Sequence, residues 1–410
     1  MNRERMAAFL LAAGCSSRMG TRKLLLPLGE GVVLEQGIRT FREAGIQDVR
    51  VVVGHEAAAL MPVLTKHGVR RIDNENYREG MFSSVRAGVA SLEKEIEGFF
   101  VLPADVPLVR PRTVLDLLEA SREESVAVVR PVFAGRPGHP VLLATRLATE
   151  LLHWTGTGGL RSFLDAGGFS SVDVEVADEN VLFDLDTPED YEELRRRIRR
   201  SGVPSPRECR VLVSRKFVLE ERLIGHVKAV TWIALKLGRA LIQAGHPLDL
   251  ELILAAGLLH DVARDQPIHA EAGARVLREM GYGPVADVIA SHMDIALGSG
   301  IPIGEKEILY LADKLVLEDR PVTLEERFRA KQERFGENPA AAGAMARRRE
   351  QAERIWDRLE ELLGFSLHAL VTKWIEDRHA EKPDDLLAEA WRDGGTGGEA
   401  APRAGGHPLD

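Results

Sequence analysis

The chain changes texture once, near residue 200, and that change limits what it can fold into. From Ala7 to about Arg200, short apolar runs alternate with helix-like segments. "AAFLLAAG", "DVRVVVG", "GFFVLPAD" and "SVAVVRPV" read as buried strands, each closed by a polar or glycine-containing turn. Between them, "VLEQGIRTFREAG" and "SVRAGVASLEKEI" are amphipathic at helical spacing. Such alternation predicts a parallel or mostly parallel sheet covered by helices, with ligands beyond the carboxyl ends of the strands. Past "RRRIRRSGVPSPREC" the pattern turns to nearly continuous helix, as in "HVKAVTWIALKLGRALIQAG", "DLELILAAGLLHDVA" and "EKEILYLADKLVLED". An α/β domain followed by an all-α domain is therefore expected. The boundaries read as 1–198 for the first domain, 199–215 for a linker and 216–330 for the second. A charged helical extension over 331–392 and a tail over 393–410 with the composition of disorder complete the chain.

Two domains also suit 410 residues, more than one hydrophobic core usually serves. A net charge of -9 argues against nucleic acid as a partner, because phosphate-backbone affinity needs clustered Lys and Arg. Two cysteines, Cys15 and Cys209, cannot build a disulfide framework or a thiolate zinc site, and their scarcity suits a reducing compartment. No apolar run is long enough to span a bilayer. The N-terminal "MAAFLLAAGCSSRMGTRK" has two readings, an export signal ending in a lipidation cysteine or a strand entering a phosphate-binding turn. Its apolar run, Met6 to Ala13, is short for a signal, and Arg18, Arg22 and Lys23 follow closely. The expected location is the cytoplasm, without membrane partners.

In the second reading, Ala12, Ala13 and Gly14 let backbone N–H groups approach phosphate oxygens, Arg18 and Lys23 supply positive charge, and Gly20 permits a further tight turn. The spacing is not that of a Walker loop, and a plain strand-to-helix turn with surface cations is the duller alternative. "VLPADVP" sets Asp105 at the end of a buried strand, where an ionised carboxylate needs a hydrogen-bond partner or a metal, naturally magnesium. "FDLDTPEDY" sets Asp184 and Asp186 on one face of an extended run, ahead of a helix start at Thr187 and Pro188. Taken singly, these acids could equally be helix caps.

Six ordered segments, "LLAAGCSSRMGTRKLLLPL", "NENYREGMFSSVRAG", "VLPADVPLV", "GRPGHPVLL", "GTGGLRSFL" and "DLDTPEDY", resemble the motifs of the molybdenum cofactor nucleotidyltransferases, with the cytidylyltransferase branch most similar. The resemblance covers roughly Met6 to Arg197. It implies a Rossmann-like domain that joins CMP from CTP to the terminal phosphate of molybdopterin and releases pyrophosphate, with a molybdoenzyme as the receiving partner. It further implies that Ala12, Ala13, Gly14, Arg18, Gly20 and Lys23 hold the triphosphate and that Asn74, Ser83 and Ser84 line the nucleotide site. Asp105 would bind magnesium, with Asp186 as the second acid and Asp184 as its competitor. Gly138, His139, Pro140, Gly158 and Gly159 would shape the acceptor side. Thr157 stands where the family commonly carries an aspartate. A GTP-using guanylyltransferase, a sugar- or polyol-phosphate nucleotidyltransferase, and a non-catalytic cofactor carrier or chaperone are the alternatives.

In the helical half, "GLLHDVA" sets His260 and Asp261 side by side on an apolar helix, pointing about 100° apart. Both can reach one metal only if other helices complete its shell. His226 in "IGHVKAV" and Asp313 in "YLADKLV" are the candidates, and mixed imidazole and carboxylate donors suit zinc, iron or manganese. The ordered set His226, His260-Asp261 and Asp313 resembles the HD phosphohydrolase superfamily over roughly Glu221 to Glu318. That resemblance implies metal-activated water attacking a phosphoester. His269 and His292 fall where some members carry extra histidines, for a second metal, a substrate phosphate, or the orientation of the first ligands.

Overall fold

The structure, a computed structural model, describes residues 3–14, 22–55, 57–123, 125–298, 303–335, 338–377 and 388. Arg18, Gly20 and the tail 393–410 lie outside the described residues. The chain divides into two compact units, Met1–Arg200 and Ser201–Asp393.

The first unit is an eight-stranded sheet with helices. Its strands are β1 (Met6–Ala12), β2 (Asp48–Val53), β3 (Arg70–Asp73), β4 (Gly98–Pro103), β5 (Val128–Phe133), β6 (Arg136–Pro137), β7 (Val141–Ala144) and β8 (Ser171–Glu175). Their order is β8-β5-β7-β4-β1-β2-β3, with β6 paired to β5. The half formed by β4, β1, β2 and β3 is parallel. The other half is mixed, because β7 runs antiparallel to both β4 and β5. The turn from Phe133 to Val141 is too short for the crossover that a parallel return requires, so β7 can only come back antiparallel. Strand β1 is buried along its whole length, as the continuous apolar run "MAAFLLA" between two neighbours demands. Its Leu10 pairs with Val51 on one side and Leu102 on the other.

Among the described residues, seven helices accompany the sheet: α1 (Val33–Glu43), α2 (Ala57–His67), α3 (Met81–Ala90), α4 (Pro111–Ala120), α5 (Ala148–His153), α6 (Gly159–Ala166) and α7 (Pro188–Arg199). One core joins Phe9, Phe99, Val101, Leu143 and Phe163. Glu35 on α1 is buried and accepts from Lys66 Nζ at 2.7 Å and from the Val32 amide at 2.8 Å, with His67 Nε2 2.9 Å away. Burial alone would raise its carboxyl, but these partners hold it down at about 2. A depressed carboxylate stabilises the fold above its unfolded value and loses that contribution as pH falls toward the folded value. Glu35→Gln is therefore expected to flatten the acid branch of the stability curve between about pH 4.5 and 2, measured by denaturant midpoints across pH.

The second unit is helical: α8 (Pro206–Val211), α9 (Glu221–Gln243), α10 (Leu250–Leu259), α11 (His269–Glu279), α12 (Gly283–Ile289), α13 (Glu305–Lys314), α14 (Leu324–Phe335), α15 (Pro339–Leu363) and α16 (Leu367–Asp377). A two-stranded pairing of Val316–Leu317 with Arg320–Pro321 interrupts the helices. Residues 199–215, expected as a linker, contain α8, which opens on a reciprocal cap. The Glu208 amide donates to Ser205 Oγ at 3.2 Å and the Ser205 amide to Glu208 Oε2 at 2.9 Å. Cys209 is fully buried on this helix.

Helices α9 and α10 approach closely at one point. A Cβ on Gly257 would lie 2.9 Å from the Cα of Thr231 and 2.5 Å from its Oγ1, so the backbones themselves are in the way. Gly257→Ala gains about 1 kcal/mol of helix propensity but overpacks by about 1–3 kcal/mol. Net destabilisation is expected, with weaker metal retention in the site described below, because His260 Nδ1 donates to the Gly257 carbonyl at 2.8 Å. Thermal unfolding with and without chelator checks both effects.

Candidate functional sites

In the first unit, three distant segments meet at the ends of β1 and β4. β1 ends at Ala12, and Ala13, buried like it, and Gly14 follow. The Ala104 amide donates to the Leu11 carbonyl at 3.1 Å, which carries the pairing of β1 and β4 to the edge of Asp105. The Leu185 amide then donates to the Asp105 carbonyl at 2.9 Å, fixing the "DLD" segment beside it. Lys23 closes the group. Its Nζ donates to Asp105 Oδ2 at 2.6 Å, to the Leu185 carbonyl at 2.9 Å and to Asp186 Oδ1 at 3.2 Å. Burial works against its charge, but Asp105 and Asp186 outweigh it and hold the ammonium above its ordinary value. Asp184 does not touch Lys23 in this way. Desolvation first, then the charges of Asp105 and Asp186, push its carboxyl up to about 6, although solvent reaches the residue. The carboxylates of Asp105 and Asp186, with Asp184 close enough to feel their charge, form a set of hard oxygen donors, which fits magnesium.

The remaining residues expected in this site fall into separate groups. Asn74 donates through Nδ2 to Ser83 Oγ at 2.8 Å and Ser84 Oγ at 3.0 Å, and all three are buried. Their polar groups are largely spent on one another, and Ser83 Oγ donates onward to the Gly80 carbonyl at 2.8 Å. Gly138 is packed where a Cβ would fall 2.4 Å from the Val181 carbonyl oxygen, so only glycine fits. The next amide, of His139, donates to that carbonyl at 2.9 Å, and Pro140 is buried. His139 Nδ1 has no hydrogen-bond partner among the described residues. Burial lowers that imidazole's pKa, opposed by the charge of Asp105. Gly158 and Gly159 turn into α6 with φ of +89° and +72°, a conformation that favours glycine.

In the second unit, five elements bring six side chains together. His226 comes from α9, His260 and Asp261 from the end of α10, His269 from the start of α11, His292 from just beyond α12, and Asp313 from α13. His226, His260 and His292 each place Nδ1 2.7–2.8 Å from a backbone carbonyl, of Glu318, Gly257 and Ile289 respectively. That bond orients each ring and turns its Nε2 inward. Among the described residues, Nε2 of His226 and of His260 are buried without a hydrogen-bond partner, although Asp313 Oδ1 lies 3.3 Å from the former. Burial brings the His260 imidazole down to about 4, so at neutral pH it is an electron-pair donor. Among the described residues, two groups of ligand atoms lie within 4.8 Å of one another: His226, His260 and Asp261, and Asp261, His269 and His292.

Asp261 belongs to both groups, and its two oxygens divide between them. Oδ2 lies 3.8 Å from His226 Nε2 and 3.7 Å from His260 Nε2. Oδ1 lies 3.3 Å from His269 Nε2 and 3.5 Å from His292 Nε2. Burial would raise this carboxyl, but the surrounding histidines and Arg264 hold it well below the carboxylate range. Two supporting residues escape a reading for ligands. Arg264 donates to Asp261 Oδ2 at 2.8 Å, and buried Lys314 donates to Asp313 Oδ2 at 2.7 Å and to the His292 carbonyl at 2.9 Å. Lys314 was visible as a cation directly after Asp313 on a helix that is otherwise largely apolar. Orphaned imidazole nitrogens beside carboxylates are the donor set of a divalent transition metal.

Comparison with known proteins agrees with both sites. Residues 8–172 match the family described as the MobA-like NTP transferase domain, and residues 223–318 match the HD domain. The molybdenum cofactor cytidylyltransferase of Escherichia coli is 27% identical over 183 residues, covering 44% of this chain and 91% of that protein. The phosphoenolpyruvate guanylyltransferase of Rubrobacter xylanophilus is 30% identical, covering 44% of this chain and 87% of that protein. The purine catabolism protein PucB of Bacillus subtilis is 31% identical, covering 45% and 94%. No helix among the described residues is long and apolar enough to cross a membrane. Ordered motifs, a mixed α/β sheet and these matches together make the chain an enzyme that belongs to the MobA-like nucleotidyltransferase family and carries a second, HD domain.

Proposed function

We propose that the first unit transfers CMP from CTP to a molybdopterin-type cofactor with release of pyrophosphate, in the cytoplasm, for delivery to a molybdoenzyme. The observation that carries this reading is the meeting of Lys23, Asp105 and Asp186 at the carboxyl ends of β1 and β4. A phosphate oxygen of the acceptor would attack the α-phosphorus in line with the departing pyrophosphate. An acceptor phosphate is already nucleophilic, so no general base is needed and the protein's task is positioning and charge. Lys23 keeps one positive charge beside Asp105 and Asp186, while Ala12, Ala13 and Gly14 offer backbone to the triphosphate. Asn74, Ser83 and Ser84 hold the turn before α3 that would border the base. Magnesium, held by Asp105 and Asp186, would supply neutralisation of phosphate charge when bound. The guanylyltransferase relative makes GTP the base to test against CTP.

For the second unit we propose a metal-dependent phosphohydrolase with two metal positions bridged by Asp261. His226, His260 and Asp313 would serve one position and His269 and His292 the other. Manganese, iron or zinc would supply Lewis acidity and a lowered pKa for water when bound. Lys314 fixes Asp313 and the His292 segment together, and Arg264 holds Asp261. Lys314→Met is expected to lower retained metal per chain, with elemental analysis as the readout, because it releases ligands on both sides. Unchanged metal content would contradict that role.

A further inference from the structure

We infer that Glu318 is a positioning residue for the metal position served by His226, His260 and Asp313: its backbone, held in a strained turn, supplies the carbonyl that aims His226. This rests on the metal-dependent reading of the second unit above. Helix α13 delivers Asp313 and ends at Lys314, and the chain then doubles back through the pairing of Val316–Leu317 with Arg320–Pro321. Leu317 pairs with Arg320, so Glu318 and Asp319 make the turn between them. The base of this hairpin is fixed in the core. The Val322 amide donates to the Leu315 carbonyl at 2.8 Å, and Leu315, Val316 and Val322 are buried.

Glu318 has φ of +59°. The first position of a two-residue hairpin turn with positive φ favours glycine, because a Cβ crowds the adjoining backbone. A glutamate there is strained, and strain of this kind persists only where the surrounding structure over-determines it. The core does not ask for this side chain, which is exposed. Contacts with α9 account for the conformation instead. The Glu318 carbonyl accepts from His226 Nδ1 at 2.7 Å, and its carboxylate pairs at 2.6 Å with Arg222, one helical turn before His226. The second turn residue is seated against the same helix. A Cβ on Gly225 would fall 3.1 Å from the Cβ of Asp319, so the residue beside His226 has room for little more than glycine.

The turn is thus a clasp between the helix that carries Asp313 and the helix that carries His226, and across it His226 Nε2 stands 3.3 Å from Asp313 Oδ1. Rotation of Glu318 out of positive φ would swing its carbonyl from Nδ1, and the ring would lose the bond that sets its direction. Outer bonds of this kind on ligating imidazoles are worth about 10–100-fold in metal affinity. The pair with Arg222 is exposed on both sides and contributes little by itself. What the site needs from residue 318 is its backbone conformation.

The test titrates manganese into the metal-free full chain carrying Asp105→Ala, which silences the first unit's acid pair, and follows bound manganese by paramagnetic resonance. Glu318→Gly and Glu318→Val both remove the carboxylate, but glycine accepts positive φ and a β-branched residue resists it. The glycine variant should bind within about twofold of the parent chain, and the valine variant about tenfold or more weaker. Gly225→Leu leaves Glu318 intact but displaces Asp319, and should weaken binding likewise; it carries the test if circular dichroism shows the valine variant unfolded. Equal weakening by glycine and valine, or a folded valine or leucine variant that binds as the parent does, overturns the assignment and leaves the metal-dependent reading standing. A parent chain whose manganese binding is unmoved by His260→Ala overturns both.

Discussion

Asp105→Ala is expected to lower nucleotidyl transfer by about three orders of magnitude or more while the first unit stays folded. Asp105 is the carboxylate on which Lys23 and the "DLD" segment converge, through a 2.6 Å ion pair and the 2.9 Å bond from the Leu185 amide to its carbonyl. Loss of charge stabilisation on a transferring phosphoryl group amounts to several kcal/mol, and each 1.4 kcal/mol is about a factor of ten in rate. The fold should lose little. The backbone bond from Leu185 survives the change, and Lys23 keeps Asp186 and the Leu185 carbonyl as partners. A partly solvated ion pair contributes only about 1 kcal/mol. Pyrophosphate release and a thermal melt, measured on the same preparation, separate the two effects.

The second large effect is expected from Asp261→Asn. The carboxylate faces four imidazole nitrogens, two from each oxygen, so the amide removes the bridging charge while keeping the volume. Metal content per chain should fall to a small fraction of its original value, and hydrolytic activity by about three orders of magnitude. A metal that binds only the folded state stabilises it by mass action, so chelator should lower the melting temperature of the unsubstituted second unit. The variant's melting temperature should not respond to chelator. A variant that keeps its metal and its chelator response would show that Asp261 is not the shared ligand.

Much of this architecture is legible in the residues, and the parts that are not have physical causes. The four apolar runs became β1, β2, β4 and β5 because central strands must be apolar on both faces. Strands β3 and β8 lie at the two edges, where "RRID" carries one apolar residue and "SVDVE" only two alternating valines, too few to stand out as a buried run. Strand β7 hid within a glycine- and proline-rich segment, since its direction depends on how short the turn before it is. At 205–211, proline and charge suggested a linker, yet Ser205 and Glu208 at capping-box spacing with Pro206 between them were a readable helix start.

The sites divide in the same way. His226, His260, Asp261, His269, His292 and Asp313 stand out in the sequence as imidazoles and carboxylates on apolar helices; the fold gathers the four histidines around Asp261 and sets Asp313 beside His226. The division of Asp261's oxygens between two groups depends on tertiary geometry and has no signal in the chain. Lys23, expected on the triphosphate, has its ammonium on Asp105 and Asp186, a pairing with residues distant in the chain that no local pattern announces. An ammonium beside two carboxylates pairs with them, as electrostatics favours.

The central claim is that the first unit moves a nucleotidyl group, and pyrophosphate release tests it most directly. The full chain, carrying His260→Ala so that the second unit consumes none of the product, is supplied with magnesium and with CTP, GTP, ATP or UTP in turn, with and without molybdopterin. Release with CTP, dependent on molybdopterin and lost in Asp105→Ala, is the predicted result. Tight nucleotide binding without pyrophosphate release from any triphosphate, in the presence of molybdopterin, would contradict it.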